Sequence, residues 1–529
     1  MTQTARLPCE EGAMRHGEAA PGADESCKRW VLAASVLGSS LAFVDGTVVN
    51  VALPAIQRSL DASVYQAQWV VESYALFLAA LLLVGGALGD RYGRRRVFAL
   101  GVALFGVASL ACALSQTVQQ LIVARAVQGL GGALLVPGSL ALISATFPEQ
   151  ERGRAFGTWA AFSGVTSAVG PLLGGWLVDR FSWAWAFAVN LPLVALVLAI
   201  AWTRVPESRR AQGAAGRLDL RGALLATLGL GGVVFAFIEA PTRGWAAPEV
   251  LAAMVLGLAA LVAFVFAEQR HPNPMLPLRL LRQADFAGAN LLTLLLYAAL
   301  GGGLFYVPLN LIQVQGLSAT AAGAALLPFV AILFLLSRWA GGLVDRHGAR
   351  KPLIVGPLIA GAGFALLLLP GTGASYWLHF LPGIAVLGLG MAIAIAPLTT
   401  AVMNAVGPAD AGTASGVNNA MSRVAGLLAI AVFGWVMALV FEPALLGRLR
   451  SGALPAPVLD AVWEQRARLA GIEVPANAGG PAAAVVRDAV HSAFVAGYRW
   501  IMVLSVVLAV ASAGVAALWV GRGQGAPRA

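Results

Sequence analysis

Gly86-Ala87-Leu88-Gly89-Asp90-Arg91-Tyr92-Gly93-Arg94-Arg95-Arg96 is a dense charged turn between two apolar runs, each long enough to cross a bilayer. It recurs as Gly341-Gly342-Leu343-Val344-Asp345-Arg346-His347-Gly348-Ala349-Arg350-Lys351, with Asp345 standing 255 residues after Asp90. The surroundings keep the register. Ala126-Val127-Gln128-Gly129-Leu130-Gly131 returns as Ala385-Val386-Leu387-Gly388-Leu389-Gly390, and Gly153 and Gly157 return as Gly412 and Gly416, all at an offset of 259. One half of the chain is a version of the other. Long internal repeats in a hydrophobic chain mark secondary transporters, whose pathway lies between the related halves.

Composition agrees. With 59% hydrophobic and 11% charged residues and a mean hydropathy of +0.79, the chain cannot hide its apolar surface in a water-soluble core. The net charge of +10 is spread over short loops rather than gathered on one face, which argues for membrane topology and against nucleic acid as a partner. The polar stretch 1–28 has no apolar core of its own, so the first apolar helix is expected to direct insertion.

Apolar windows of about twenty residues, enough for roughly 30 Å of hydrocarbon, fall near 30–53, 67–88, 97–116, 120–146, 154–178 and 184–204. Two more fall near 220–240 and 248–267, and six near 286–311, 319–343, 352–371, 377–403, 412–441 and 494–521. The expected fold is an all-α polytopic membrane protein of fourteen helices, two pseudo-symmetric six-helix halves with two helices inserted between them. The domains expected are a cytoplasmic tail 1–29, a bundle 30–204, a linker 205–285 with the extra pair, a bundle 286–521 and a tail 522–529. Within the second bundle, 442–493 is a long extracytoplasmic connection whose 458–466 stretch is apolar at helical spacing. It reads either as a surface helix or as an ordered, inert link.

Loop charge sets the orientation. The stretch 90–96 holds four arginines against one acid, 204–221 five against two, and 345–351 three cations against one. Both termini are therefore expected in the cytoplasm.

The residues now match a family. The stretch 86–97, the run Leu121-Ile122-Val123-Ala124-Arg125-Ala126-Val127-Gln128-Gly129, the glycine-rich 164–175 and Val44-Asp45-Gly46-Thr47-Val48-Val49-Asn50-Val51-Ala52-Leu53-Pro54 together resemble the major facilitator superfamily. Within it the chain is similar to the fourteen-helix drug:proton antiporters of the EmrB/QacA type. The resemblance implies a latch at Gly86, Asp90, Arg91, Gly93, Arg94 and Arg95, with a weaker second copy at Asp345, Arg346, Gly348 and Arg350. Physically, Asp90 is placed to cap a neighbouring helix start and the arginines to pair with acids across the interface between halves. The resemblance also implies an antiporter helix at Gly164, Gly170, Pro171, Gly174 and Gly175, whose small face suits close helix packing.

Charges inside the bilayer are the sharpest signal, because each is costly unless paired or hydrated. Asp45, Glu72 and Arg125 fall at similar depth in helices 1, 2 and 4, so they form either a proton-coupling group or a fixed tie between helices. The second half has Ile384 where the first has Arg125. Asn50, Phe162, Tyr297, Asn418 and Asn419 are candidate cavity residues; the last two suit either a packed interface or a polar pathway. Arg338 and Arg423 lie near helix ends, from which they can snorkel.

The function expected is a proton-coupled antiporter exporting lipophilic drugs or toxic small molecules, cationic ones included, by alternating access. The alternative is a dedicated exporter of one metabolite: an amino acid, a siderophore or a self-made antibiotic. A membrane enzyme or receptor would need a loop motif, and there is no phosphate loop, His-Glu-x-x-His or cysteine pair at metal spacing. No cofactor and no metal are expected, the proton gradient being the energy source. The partners expected are a lipophilic small molecule, protons and the lipid of a bacterial-type inner membrane. A monomer is expected to suffice, with a periplasmic adaptor left open. Reporter fusions at Arg94, Gly213, Lys351 and the C-terminus should read cytoplasmic and one at Glu464 external; a cytoplasmic reading at Glu464 would overturn the topology.

Overall fold

The computed structural model of the protein describes residues 25–209, 219–272, 274–406, 411–452, 454–476 and 478–521. The outer parts of both expected tails, 1–24 and 522–529, and Gly213 lie outside the described residues. No strand occurs among those described, as hydrocarbon dictates, since a helix satisfies every backbone polar group within its own segment.

The first half comprises α1 (Glu25–Ser59), α2 (Val64–Tyr92), α3 (Arg94–Ala113), α4 (Val118–Thr146), α5 (Glu149–Arg180) and α6 (Trp185–Arg204). The inserted pair is α7 (Leu220–Arg243) and α8 (Pro248–Arg270). The second half comprises α9 (Ala284–Leu309), the broken crossing α10 (Ala319–Ala324) and α11 (Leu327–His347), then α12 (Arg350–Leu366), α13 (Leu381–Asn404), α14 (Ala411–Ser451), the short α15 (Ala456–Glu464) and α16 (Gly480–Trp519). Side-chain caps fix several starts: the Ser63 hydroxyl accepts the Gln66 N–H in a capping box, and the Thr117 and Ser318 hydroxyls accept N–H groups at the starts of α4 and α10.

Thirteen helices among the described residues are long and apolar enough to cross a membrane. The window expected at 352–371 holds α12, with only 17 residues, so the expected fourteen appear as thirteen membrane-length helices and one shorter. Two boundaries differ from the reading. Helix α1 begins at Glu25, inside the expected tail. The expected connection 442–493 is largely helix, since α14 runs on to Ser451 and α16 starts at Gly480. Its apolar side chains explain this: Leu445, Leu449, Val486, Ala489 and Val490 are buried together with Val458 and Val462 of α15 in one core.

The sequence repeat is visible as packing. A Cβ on Gly101 would come within 3.0 Å of the Gly131 carbonyl oxygen, and one on Gly356 within 2.9 Å of that of Gly390. The two pairs occupy matching places, α3 on α4 and α12 on α13, and small residues permit the approach. The charged turns also match. Gly93 has φ of 112° and Gly348 of 69°, a region glycine enters without the strain a side chain brings.

The start of α1 and the end of α16 mark one end of the molecule, the terminal end; the 452–479 connection marks the other. Gly175 of α5 packs on the backbone of Ala319 and Thr320, and Gly323 of α10 on that of Pro171, so the halves touch near the connection end. About three and five turns along the same α5 face towards the terminal end, a Cβ on Gly164 or Gly157 would meet nothing within 4 Å. Along α5 the halves close at the connection end and part towards the terminal end, while α2 and α14 stay in contact at Gly416 and Leu83 as well as at Gly434 and Gln68.

Substitution at these glycines should separate the two environments. Gly131→Val drives a side chain into the Phe105 backbone, 2.6 Å from where Cβ would sit, and should lower stability by about 1–3 kcal/mol. Gly164→Ala should leave it unchanged. Thermal denaturation of both purified variants in detergent measures the difference.

Candidate functional site

Asp45 and Arg125 meet at the centre of the first half, both fully buried. Arg125 is carried there by α4, where Gln128 follows three residues later on the same face. Arg125 Nη1 donates to Asp45 Oδ2 and to Gln128 Oε1 at 2.7 Å, and Arg125 Nε donates to the Val70 carbonyl at 3.0 Å. Gln128 Nε2 donates to Asp45 Oδ1 and to Ser109 Oγ, each at 2.8 Å. Asn190 Nδ2 reaches the same two oxygens at 3.2 Å. The Tyr74 ring lies 4.3 Å from the guanidinium carbon. Five helices, α1, α2, α3, α4 and α6, are tied through one ion pair in which both Asp45 oxygens and the Nε and Nη1 of Arg125 are hydrogen-bonded, the kind of pairing under which a buried pair is tolerated.

Glu72 is not part of this group. It lies one turn after Gln68 on the α2 face turned to the second half, where Gln68 Nε2 donates to Tyr306 Oη at 3.1 Å and packs on Gly434 of α14. Glu72 is fully buried and neither carboxyl oxygen has a hydrogen-bond partner. The three charges expected at one level thus divide into a satisfied pair inside the first half and a lone acid at the seam. The reason is helical phase: Tyr74, not Glu72, is on the α2 side that meets Arg125.

The charged turn differs in detail from the reading. Asp90 pairs with Arg94, four residues on, at 2.8 Å, and makes no cap. The anion at the start of α3 is Glu207, whose Oε1 accepts the Arg95 N–H at 3.1 Å and whose Oε2 lies 3.7 Å from Arg95 Nε and 3.6 Å from Arg96 Nε. Glu207 follows α6, so these contacts lie within the first half and its linker, not across to the second. A carboxylate there complements the helix start. Arg91 stacks over Tyr92, and Gly86 approaches Pro137 of α4. In the second copy Arg350 Nη2 donates to the Ala517 carbonyl at 2.5 Å and Arg346 is exposed; the side chains of Asp345 and Arg338 lie outside the described residues.

In the glycine-rich helix, Gly170 and Gly174 pack on α1 at Thr47 and Val48, while Gly175 and the Pro171 carbonyl pack on α10. Asp179, at the end of α5, accepts the Ala319 and Thr320 N–H groups at 3.1 and 2.7 Å, capping the second half's α10 from the first. Sequence reasoning passed over Asp179, although an acid ending a helix whose small face meets another was the available clue.

Among the cavity candidates, Asn418 Nδ2 donates to Thr293 Oγ1 at 2.6 Å and Asn290 Oδ1 at 3.3 Å, so it joins α14 to α9. Asn419 and Tyr297 are half-buried, and Phe162 is exposed. Asn50 is half-buried with an unpartnered Oδ1. Gln128, Ser109 and Asn190 were missed as parts of the site; each is a lone polar residue in an apolar run, which is the sign they carry.

The chain matches the family described as Major Facilitator Superfamily over residues 35–430. It is 38% identical over 428 residues to the multidrug resistance protein Stp of Mycobacterium tuberculosis, covering 81% of this chain and 79% of that one. It is 32% identical over 492 residues to the tetracenomycin C resistance and export protein of Streptomyces glaucescens, covering 92% and 90%. Among solved structures, a bacterial homolog of the human lysosomal transporter Spinster, inward-facing and occupied, superposes with a TM-score of 0.60 at 20% identity, covering 94% and 97%.

Removing one member of the ion pair should be worse than removing both charges. Arg125→Met strands the Asp45 carboxylate and should lower stability by about 3–5 kcal/mol, whereas adding Asp45→Asn should restore a large part. The denaturation midpoints of the two variants in detergent decide, and a double variant no more stable than Arg125→Met alone would dissolve the coupling.

Proposed function

The chain belongs to the major facilitator superfamily, whose members are transporters and not enzymes, and from that premise we propose that it exports lipophilic drugs by proton antiport. Export is supported by the likeness to resistance and export proteins. A dedicated exporter of one metabolite is the narrower form of the same reading, and tetracenomycin C is the compound to try first. The terminal end is proposed to face the cytoplasm of a bacterial inner membrane, on the loop-charge argument. A monomer working without cofactor or metal is proposed, with a periplasmic adaptor as an optional partner.

Proton coupling rests on one observation: Glu72 is fully buried at the seam with both oxygens unpartnered. A carboxyl in such a place is stable while it carries its proton and unstable once it gives it up without gaining a partner. Rearrangement of the seam would change that balance, which makes Glu72 the proposed proton carrier. The Asp45–Arg125 pair, tied to five helices, is proposed to hold the first half rigid while it moves. The turn at Asp90 to Arg95, with Glu207, is proposed to latch the terminal end in the opposite state, and Asp179 with the small face of α5 to close the connection end in this one. The experiment is substrate-induced proton release from purified protein in detergent. Glu72→Gln should bind tetracenomycin C and release no proton, and its uphill export should be lost. Release equal to that of the parent would remove Glu72 from the mechanism.

A further inference from the structure

A second charge at the seam is unmatched. Arg423 lies on α14, twelve residues from its start at Ala411, which at 1.5 Å per residue is about 18 Å along the helix and near the middle of a hydrocarbon layer about 30 Å thick. Sequence reading places Arg423 close enough to a helix end to snorkel, but at the depth set by the Ala411 start a long side chain does not readily reach water. Its Nε is buried without a partner, and among the described residues the side chain makes no hydrogen bond or ion pair. The residue is nevertheless half-buried rather than sealed in, so part of the guanidinium faces open space. One turn on, a Cβ at Gly426 would meet nothing within 4 Å.

The position of Arg423 in the bundle follows from its neighbours. Helices α9 and α14 run parallel, with Asn418 on Thr293 and Gly426 against Gly301, which brings Arg423 level with Tyr297. Across the seam, Gly416 meets Leu83 of α2 and Gly434 meets Gln68, so Arg423 stands level with the middle of α2, and Tyr74 is within its electrostatic range. The buried acids of the first half are elsewhere. Asp45 is paired with Arg125, and Glu72, with both oxygens unpartnered, is displaced along α2 towards the connection end by roughly 8 Å on the same register.

We infer that Arg423 receives the substrate, its guanidinium binding the acidic oxygen of a lipophilic aromatic compound, a carboxylate, phenolate or enolate, at the middle of the membrane. An unpaired cation in hydrocarbon is unfavourable until an anion arrives, and the planar fork of a guanidinium suits two oxygens of one acidic group. The half-buried aromatic ring of Tyr297 at the same level offers a face for a flat body. Intramembrane cations are functional by default and substrate sites lie at the midplane between the repeats. The compounds favoured are therefore lipophilic acids, which narrows the broader class proposed above.

This inference rests on the export reading, and the test keeps the two apart. Purified full-length protein in detergent is titrated at neutral pH with anthracene-2-carboxylate and with its uncharged carboxamide, followed by ligand fluorescence. The parent should bind the acid about tenfold more tightly or better, the worth of a charge-assisted hydrogen bond, and Arg423→Gln should bind acid and amide alike. No preference in the parent, or a preference that survives Arg423→Gln, overturns the assignment. Where Arg423→Gln does not fold, Arg423→Lys is read instead: affinity for the acid should fall threefold or more with that for the amide unchanged, and an equal fall for both overturns it. Cells expressing the parent are assayed in parallel for export of tetracenomycin C. Export without acid preference removes the role of Arg423 alone, while absence of export removes the efflux reading and the inference with it.

Discussion

A charge in hydrocarbon must find a partner, and the first half of this protein is arranged to supply one. Asp45 and Arg125 come from different helices and would each be unfavourable alone. Together with Gln128, Ser109 and Asn190 they form a closed network in which the carboxylate accepts from three side chains. Helices α3 and α6 add neutral donors and acceptors rather than charge. The network thus satisfies the pair without adding a further ion, and it fixes the relative phase of five helices.

The duplicated half solves the same packing problem without charge. Ile384 occupies the place of Arg125 and is fully buried in the core. What the halves share is the close approach of glycines, Gly101 on Gly131 and Gly356 on Gly390, together with the positive φ at Gly93 and Gly348. Backbone geometry was retained between the repeats and electrostatics was not. A transporter of this design needs two bodies that move as units, and either kind of tie makes one.

The sequence showed the repeat, the helices, the inserted pair and the glycine-rich face because these depend on local pattern: apolar runs of membrane length, and small residues at helical spacing. It did not show which acid meets which cation, because that depends on helical phase within a bundle of unknown packing. Glu72 and Tyr74 are two residues apart, and that small difference sends one to the seam and the other to Arg125. Glu207 was hidden for another reason. Its partners at Arg95 and Arg96 are more than a hundred residues earlier, and proximity there comes from the fold of the whole first half. Within 442–493 the apolar spacing at 458–466 announced α15, whereas the helix on either side of it was not legible, because α14 and α16 lengthen there by packing on α15 and on one another.

With the first half's pair closed upon itself, the seam retains a carboxyl on α2 and a guanidinium on α14, and neither is satisfied by protein in this state. Direct neutralisation of one by the other would remove both liabilities. The register of α2 and α14 keeps them apart, so the two groups stay open to partners from outside the chain. On the proposed function those partners are a proton for Glu72 and the substrate for Arg423. The halves that carry them touch at the connection end and part along α5 towards the terminal end, and on the proposed function ligands would enter along that gap. On that reading, rocking the seam would change the surroundings of both groups in one movement, and a single rearrangement would be sufficient to exchange proton for substrate.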